Sequence, residues 1–574
     1  MLEIALLYSI LPLIFAVAFM VMLKNRIAKI IVGIIFGLLF LFYLMMTYLT
    51  LPSKNLLSIV GYNALDGIFF AAATWHFADE REKNSWRDPK DGNKLPLSNK
   101  TWIGMTTAVV LLVLVSLAGE LHSYMSVKPT WNSIQKVYSK STEAPTFKRG
   151  ETPIALAPKT VVNRVKKASS DLPHSQYFSI SDQVQAQYLN GKPVYVVPVE
   201  YNGFFEMNKA GSIPGYFVVD ATKQNATPKF IHKPYKYASS AYFSKDASRQ
   251  IYRHTVDWLD LGSVQLEIDD NGNPYWVQTL YKSEAFSHRV NYNKLHVAVM
   301  NAQTGSVKVY SVENMPKFID EGITTETAAK INHDFGKYKY GFWNWSKTGI
   351  MKPTGNGVED GVTSVFNRDG SISYFTDFTT DKTGSDSALG YSMINARTGK
   401  LTFYRANNIM DSDGAINNAN QDYKAQQWKA NMPILYNINN RPTWVMTILD
   451  STHAIRGYYY LDANDQSVYG TGSNPTSALD AFRQALVNSG NSSGNTNKTT
   501  TKKLTGIVNR AVVVSNKNKV MFTLKGSNVI YTVNTTDFDF ANLVRPGDKV
   551  SFKANIVDKK SVGNVSEFKD SELN

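Results

Sequence analysis

The sequence predicts a multi-domain membrane protein: an N-terminal α-helical transmembrane bundle, tandem α+β repeats and a small C-terminal β-barrel. Three observations predict it. Mean hydropathy is only −0.23, yet apolar residues crowd into residues 1–125 of the 574. From about residue 160 onward a short turn motif recurs between alternating strands. A polar, glycine-rich stretch at 489–503 then sets off residues 504–574.

Residues 4–23, 30–51 and 102–121 are each long and apolar enough to cross a hydrocarbon core of about 30 Å. Residues 56–77 are a weaker fourth candidate, because they carry Asn63 and Asp66. An ionisable residue in a membrane helix is costly and faces other helices or water. The alternative for this segment is an amphipathic helix lying in the interface. Charge arbitrates, since positive residues favour the cytoplasmic side. Lys24, Arg26 and Lys29 fill the first loop, and Arg81, Lys83, Arg87, Lys90, Lys94 and Lys100 fill the loop over 81–100. Both loops lie inside only if 56–77 spans, and four spans then place everything after His122 outside. Residues 1–24 do not read as a signal peptide, because their charges follow the apolar run and no small-residue cleavage site is evident.

The 574 residues include no cysteine, which excludes disulfides, thiolate metal sites and a cysteine nucleophile. A formal net charge of +14 suits a surface near anionic lipid or an anionic wall polymer. Residues 126–157 read as a stalk or juxtamembrane helix.

The repeat is the most informative feature of residues 158–320 and 321–488, which read as two pairs of α+β units. A strand opens with Pro-x-aromatic-Val at Pro193–Val196, Pro274–Val277 and Pro442–Val445. The next strand ends in an Asx-Ala turn, at Asp220-Ala221, Asn301-Ala302, Asn395-Ala396 and Asp462-Ala463. Asp or Asn starts such a turn by bonding its side chain to backbone two residues on, and Gly305 and Gly399 supply a positive φ to close two of them. The copy ending at Asn395 lacks the proline opening, and its first strand reads as 371–378. Alternating side chains, as in Tyr391-Ser392-Met393-Ile394, mean that one sheet face is buried. Helices are expected at 158–169, 324–335 and 475–487.

This helix-then-hairpin pattern over residues 155–488 resembles the PepSY-type module of bacterial envelope proteins. The resemblance implies an envelope location and protein binding or peptidase regulation, with no catalytic residue to transfer. Chains of this build in Gram-positive bacteria are sometimes labelled cell-shape-determining, which the resemblance extends here as an expectation.

Residues 489–503 read as a disordered linker. Residues 504–574 hold short strands around Val544-Arg545-Pro546-Gly547-Asp548 and resemble an OB-fold barrel. Phe522, Tyr531, Phe538, Phe540 and Phe552 are either barrel core or stacking faces for an oligomer. Lys517, Lys519, Lys525 and Lys549 would supply charge. No nucleic acid is expected outside the cell.

Candidate chemistry is sparse. Ser133-Ile134-Gln135-Lys136, with Lys347-Thr348-Gly349 or Lys382-Thr383-Gly384, matches elements of serine penicillin-binding enzymes, but stalk and turn residues explain them as well. The histidines form no short-range ligand pair; His288 and His296 are eight residues apart. Asp411-Ser412-Asp413-Gly414 with Asn417, and Asp269-Asp270-Asn271-Gly272, present oxygens as calcium loops do, yet neither continues to a bidentate glutamate. Gly470-Thr471-Gly472 lacks the Lys-Ser/Thr of a phosphate loop. No catalytic, cofactor or metal residues are therefore expected. The candidate binding surface is the aromatic cluster Tyr338, Tyr340, Phe342, Trp343 and Trp345, and Asp66 is the polar residue of the membrane segment.

The reading that follows is a non-enzymatic envelope protein. Its partners are the lipid bilayer and an envelope protein or anionic wall polymer. A wall hydrolase or transpeptidase built around Ser133, and a transporter or signalling subunit using Asp66, are the alternatives.

Overall fold

The computed structural model describes residues 2–22, 26–68, 72, 99–139, 156–223, 225–284, 286–355, 361–367, 369–381, 387–439, 441–489, 499–514, 519–527, 529–535, 537–557 and 562–573. Most of the expected basic loop (81–98), Lys382-Thr383-Gly384, Lys517 and parts of the expected stalk and linker lie outside these residues. The chain divides into two compact units, Met1–Ser141 with Leu156–Asn407, and a second that contains Asn408–Asn574.

The first unit opens with helices. α1 (Leu2–Tyr8) and α2 (Ile10–Met22) replace the single helix expected over 4–23. Pro12 is the reason: it has no N–H for the Tyr8 carbonyl, and its ring crowds that carbonyl. α3 (Arg26–Thr50), α4 (Leu56–Ile68) and α5 (Asn99–Met125) follow. Two stretches, Lys29–Thr50 and Thr106–Met125, are long and apolar enough to cross a membrane. The described part of 56–77 is the 13 residues of α4 and residue 72.

The expected stalk begins as packed structure. α6 (Val127–Ser133) continues from α5 through Ser126, whose N–H donates to the His122 carbonyl at 2.8 Å. β1 (Lys136–Tyr138) then joins a sheet.

Three larger sheets and a two-stranded one complete this unit. After α7 (Pro158–Lys167) come β2 (Phe178–Ile180), β3 (Gln185–Leu189), β4 (Lys192–Val197), β5 (Val199–Tyr201), α8 (Phe204–Ala210), β6 (Ile213–Asp220) and β7 (Lys229–Tyr235). The first sheet runs β3-β4-β6-β7, and β2 pairs with β5. After α9 (Ala247–Thr255) come β8 (Leu259–Asp260), β9 (Gln265–Ile268), β10 (Pro274–Ser283), β11 (Val290–Asn301) and β12 (Val307–Ser311). The second sheet runs β12-β11-β10, with β8 and β9 both pairing with β10. After α10 (Thr325–Lys337) come β13 (Met351–Pro353), β14 (Thr363–Phe366), β15 (Ile372–Thr380), β16 (Ser387–Asn395) and β17 (Leu401–Met410). The third sheet runs β1-β17-β16-β15, with β13 and β14 both on β15. β1 is parallel to β17, with Lys136 opposite Leu401.

The second unit holds α11 (Ser412–Asp422), the sheet β18 (Lys429–Ile438), β19 (Arg441–Leu449), β20 (Ile455–Asp462) and β21 (Tyr469–Gly472), and α12 (Pro475–Asn488). Then come β22 (Thr499–Val514), β23 (Lys519–Leu524), β24 (Ile530–Asn534), β25 (Lys549–Val557) and β26 (Val562–Asp570). Their pairing runs β22-β23-β24-β26-β25 and returns from β25 to β22. β22 starts at Thr499, inside the stretch expected as linker.

One set of hydrogen bonds recurs in all four sheets and explains the repeat. The alanine after each Asx residue donates its N–H to a carbonyl at the start of the second strand. The four bonds are Ala221 to Pro193 (3.1 Å), Ala302 to Pro274 (3.0 Å), Ala396 to Ile372 (2.9 Å) and Ala463 to Pro442 (2.8 Å). The Asx side chain accepts the N–H two residues on, as Asn395 does from Arg397 at 3.1 Å. The aromatic residue of the second strand is buried each time, as Tyr195, Trp276, Tyr374 and Trp444. Three of these reach the segment before the unit's own helix: Trp276 to the Tyr237 carbonyl (2.7 Å), Tyr374 to Ile323 (2.7 Å) and Trp444 to Met410 (2.9 Å). Motif, turn and helix start are thus joined in one polar stitch.

A helix precedes every sheet, which the sequence announced only in part. α9 and α11 are short, and α11 (SDGAINNANQD) is rich in poor helix formers. Each is started by an aspartate cap: Asp246 accepts the Arg249 N–H at 2.8 Å, and Asp411 accepts the Gly414 N–H at 2.9 Å.

Candidate functional site

The helices meet α9 and the second sheet along a polar seam. Lys54, in the α3–α4 connection, pairs with Glu3 (2.9 Å) and Asp257 (3.4 Å). The Tyr252 hydroxyl donates to the Pro52 carbonyl at 2.7 Å. Arg249 sits over the Tyr48 ring at 4.5 Å. Farther along, His288 meets Glu120 at 3.2 Å, and Arg289 donates to the Ser123 carbonyl at 2.9 Å. The Phe286 ring lies against Gly119, where a Cβ would strike it. A cleft of about 330 Å³ opens in this seam, lined by Lys54, Asn55, Asp257, Lys282, Ser283 and Phe286. Its cations are engaged: Lys54 as above, and Lys282 with the Asp257 carbonyl and the Trp258 ring. The seam fastens α9 and the second sheet to the helix ends.

The aromatic cluster lies at the same end. α10 packs on α6, with the Trp131 indole donating to the Phe335 carbonyl at 2.9 Å. Lys128 donates to the Lys339 carbonyl. The Tyr338 hydroxyl accepts from Arg289 at 3.3 Å, so Tyr338 belongs to the seam. The other four rings are exposed: Tyr340, Phe342, Trp343 at 60% and Trp345 at 81%. Phe342 and Trp343 touch edge to face at 5.1 Å, and Trp343 and Trp345 are 5.9 Å apart. The cluster is a surface feature, and no other element of the described residues covers it.

Asp66 accepts a hydrogen bond from the Tyr43 hydroxyl, which links α4 to α3. Asn63, three residues earlier, serves α1 and α2. Its amide donates to the Leu7 carbonyl and accepts from the Leu11 N–H.

The remaining sequence candidates take structural partners. The Ser133 hydroxyl donates to the Thr130 carbonyl (2.7 Å) and accepts from the Tyr292 N–H (2.9 Å). Lys136 donates to the Trp131 and Ile134 carbonyls, and Lys347 pairs with Asp381 at 3.3 Å. His296 packs on Trp258 with ring centroids 4.2 Å apart and the planes tilted, apart from the His288–Glu120 contact. Asp411 caps a helix, and Asp269 closes the β9–β10 turn by accepting from Asn271 and Asn273. Gly470 and Gly472 lie flat on the backbone of α12, where any side chain would clash. In the barrel, Phe522, Tyr531 and Phe552 are core, Phe538 packs against that core, and Phe540 is exposed.

A buried acidic joint has no counterpart among the sequence motifs. Glu267 on β9 accepts the N–H groups of Asp320 (3.4 Å) and Glu321 (3.0 Å). Glu321 accepts from Ser364 at 3.2 Å, and its own carbonyl is bonded by Gln265. Burial pushes the Glu321 carboxyl up to about 8 and Asp320 up to about 6. Burial, reinforced by the charges of Asp320 and Glu321, drives Glu267 well above the usual carboxylate range. Arg397, from the third Asx turn, holds the same crossover by donating to the carbonyls of Met315 (2.7 Å), Pro316 (3.0 Å) and Ile319. The joint fixes the chain between the second sheet and α10.

The sequence matches no protein-family model and no curated protein. Among solved structures, the C-terminal domain of YpeB from Bacillus megaterium is similar at 15% identity. The match covers 42% of this chain and 96% of that one, with a TM-score of 0.11. The polysaccharide lyase Uly1 follows at 11% identity, covering 76% and 87%, with a TM-score of 0.15. A levansucrase variant from B. megaterium follows at 10% identity, covering 75% and 98%, with a TM-score of 0.17. Likenesses at these scores carry no argument about function.

Proposed function

We propose that this chain is a non-enzymatic, membrane-anchored envelope protein whose repeated sheets and C-terminal barrel bind an envelope protein or an anionic wall polymer. The observation that carries this reading is the fourfold stitch of Asx turn, alanine N–H and strand-opening carbonyl. It accounts for the recurring polar motifs as folding devices and leaves the sheets as repeated display surfaces. The PepSY-like reading rests on the same unit, a helix followed by an antiparallel sheet. The OB-like reading rests on five strands whose pairing returns to its start. A net charge of +14 supports an anionic partner. In this reading four crossings place the chain after His122 outside the cell, and a role in cell shape is one process such a protein would serve.

Protease treatment of intact cells carrying a tag after Asn574 tests the orientation. Loss of the tag without cell breakage is expected. A tag that is cleaved only after lysis would end the envelope reading. Crosslinking in the same cells, followed by identification of attached proteins and polymers, then names the partner.

A further inference from the structure

We propose that the loop 338–347 is an interfacial foot, whose exposed rings enter the lipid–water boundary beside the end of α5 while the surrounding lysines meet anionic headgroups. The inference rests on the reading of α3 and α5 as membrane helices.

Position comes first. The apolar stretch of α5 ends at Met125. Arg289 bonds both the Ser123 carbonyl and the Tyr338 hydroxyl, which fixes Tyr338 at the level of that helix end. Lys128, three residues past Met125, holds the Lys339 carbonyl. Its Cβ would lie 3.7 Å from a Cβ on Gly341, so the two backbones are adjacent.

Direction comes next. Phe335 is bonded by Trp131, and Lys339 by Lys128. As α10 runs into the loop, its partners on α6 therefore step back toward α5. The loop leaves the end of α10 that faces the apolar helix.

Chemistry selects the occupant. Tyr340, Phe342, Trp343 and Trp345 are exposed within six residues, and Tyr124 and Met125 at the end of α5 are exposed too. A patch of this size rarely faces water unless something covers it. Tryptophan and tyrosine favour the interface, where a ring sits among acyl chains and its polar atom stays wet. Lys339 lies over the Tyr340 ring at 5.2 Å and Lys337 over Tyr338 at 5.7 Å, and cations here are attracted by anionic lipid. Lys347 also lies in the loop, paired with Asp381. Because Arg289 and Lys128 tie the loop to the end of α5, a bilayer that holds α5 is the occupant within reach of these rings.

The absence of cysteine allows a direct test on the full chain. Trp343→Cys, Trp345→Cys and Leu114→Cys are each labelled with the fluorophore NBD and reconstituted into phosphatidylcholine–phosphatidylglycerol vesicles. Nitroxide lipids quench at shallow or deep levels, and iodide quenches from water. Labels at 343 and 345 are expected to lose fluorescence to shallow nitroxide and to resist iodide, while the label at 114 answers to deep nitroxide. If the label at 114 is quenched by lipid but those at 343 and 345 only by iodide, the foot is overturned and the membrane reading stands. If the label at 114 also answers only to iodide, both fall.

Discussion

The side-chain amide of Asn63 stands where the backbone bond between Leu11 and Leu7 would be. It accepts the Leu11 N–H at 3.0 Å and donates to the Leu7 carbonyl at 2.9 Å. In an unbroken helix Leu11 would bond Leu7 directly. Here the break beside Pro12 is bridged by a residue from α4, which ties the first two helices to the fourth.

Asn63→Leu is therefore expected to destabilise the chain by about 1–2 kcal/mol, since it strands two backbone groups away from water. Asn63→Asp keeps the acceptor and loses the amide donors. Its cost should be intermediate when the introduced carboxyl is protonated and larger when it is charged. Unfolding of the detergent-solubilised protein, followed by circular dichroism, measures both.

Glu321 gives stability a pH dependence with a definite sign. A carboxyl whose pKa is higher folded than unfolded holds its proton more tightly in the folded state. Its contribution is complete below the ordinary glutamate range and is lost as pH rises to about 8. The urea midpoint of the protein should fall across that window. Glu321→Gln, which mimics the neutral acid, should flatten the curve and make the variant more stable than wild type at pH 8. An equal slope in both proteins would show that Glu321 does not titrate there.

Arg397→Ala should cost about 2–4 kcal/mol, because one guanidinium serves the carbonyls of Met315, Pro316 and Ile319. Arg397→Lys should recover little, since a single ammonium cannot reproduce the planar fork. Limited proteolysis should detect the loosened crossover as new cleavage between residues 315 and 323.

Asp411 separates a helix cap from a cation site. Asp411→Ala should lower stability by about 1 kcal/mol, as loss of an N-cap does. Adding calcium or a chelator should leave the melting temperature of the wild-type protein unchanged. A calcium-dependent rise that Asp411→Ala abolishes would restore the loop reading.

Much of the repeat was legible because both partners of its defining bond are local words in the sequence. The Asx-Ala turn marks one end, and the proline opening marks the other in three of four copies. What stayed hidden depends on distant pairs. Pro12 signals a broken helix, but nothing near it points to Asn63. α11 is written in asparagine and glycine, so only its cap and its packing on β18 and β19 make it a helix. Glu267 and Glu321 look like ordinary surface residues until two segments meet. The aromatic run 338–345 was visible as a run, while its place beside α5 depends on contacts with Lys128 and Arg289.

The three-residue strand β1 has a mechanical consequence. It follows directly from α5 and α6, and it lies parallel to β17, whose far end, Met410, leads into the rest of the chain. Tension between the helical end and the C-terminus would drag these two strands in opposite directions along their length. Their cross-links would then be loaded together in shear instead of being peeled one by one, making a small clasp a firm one under pull.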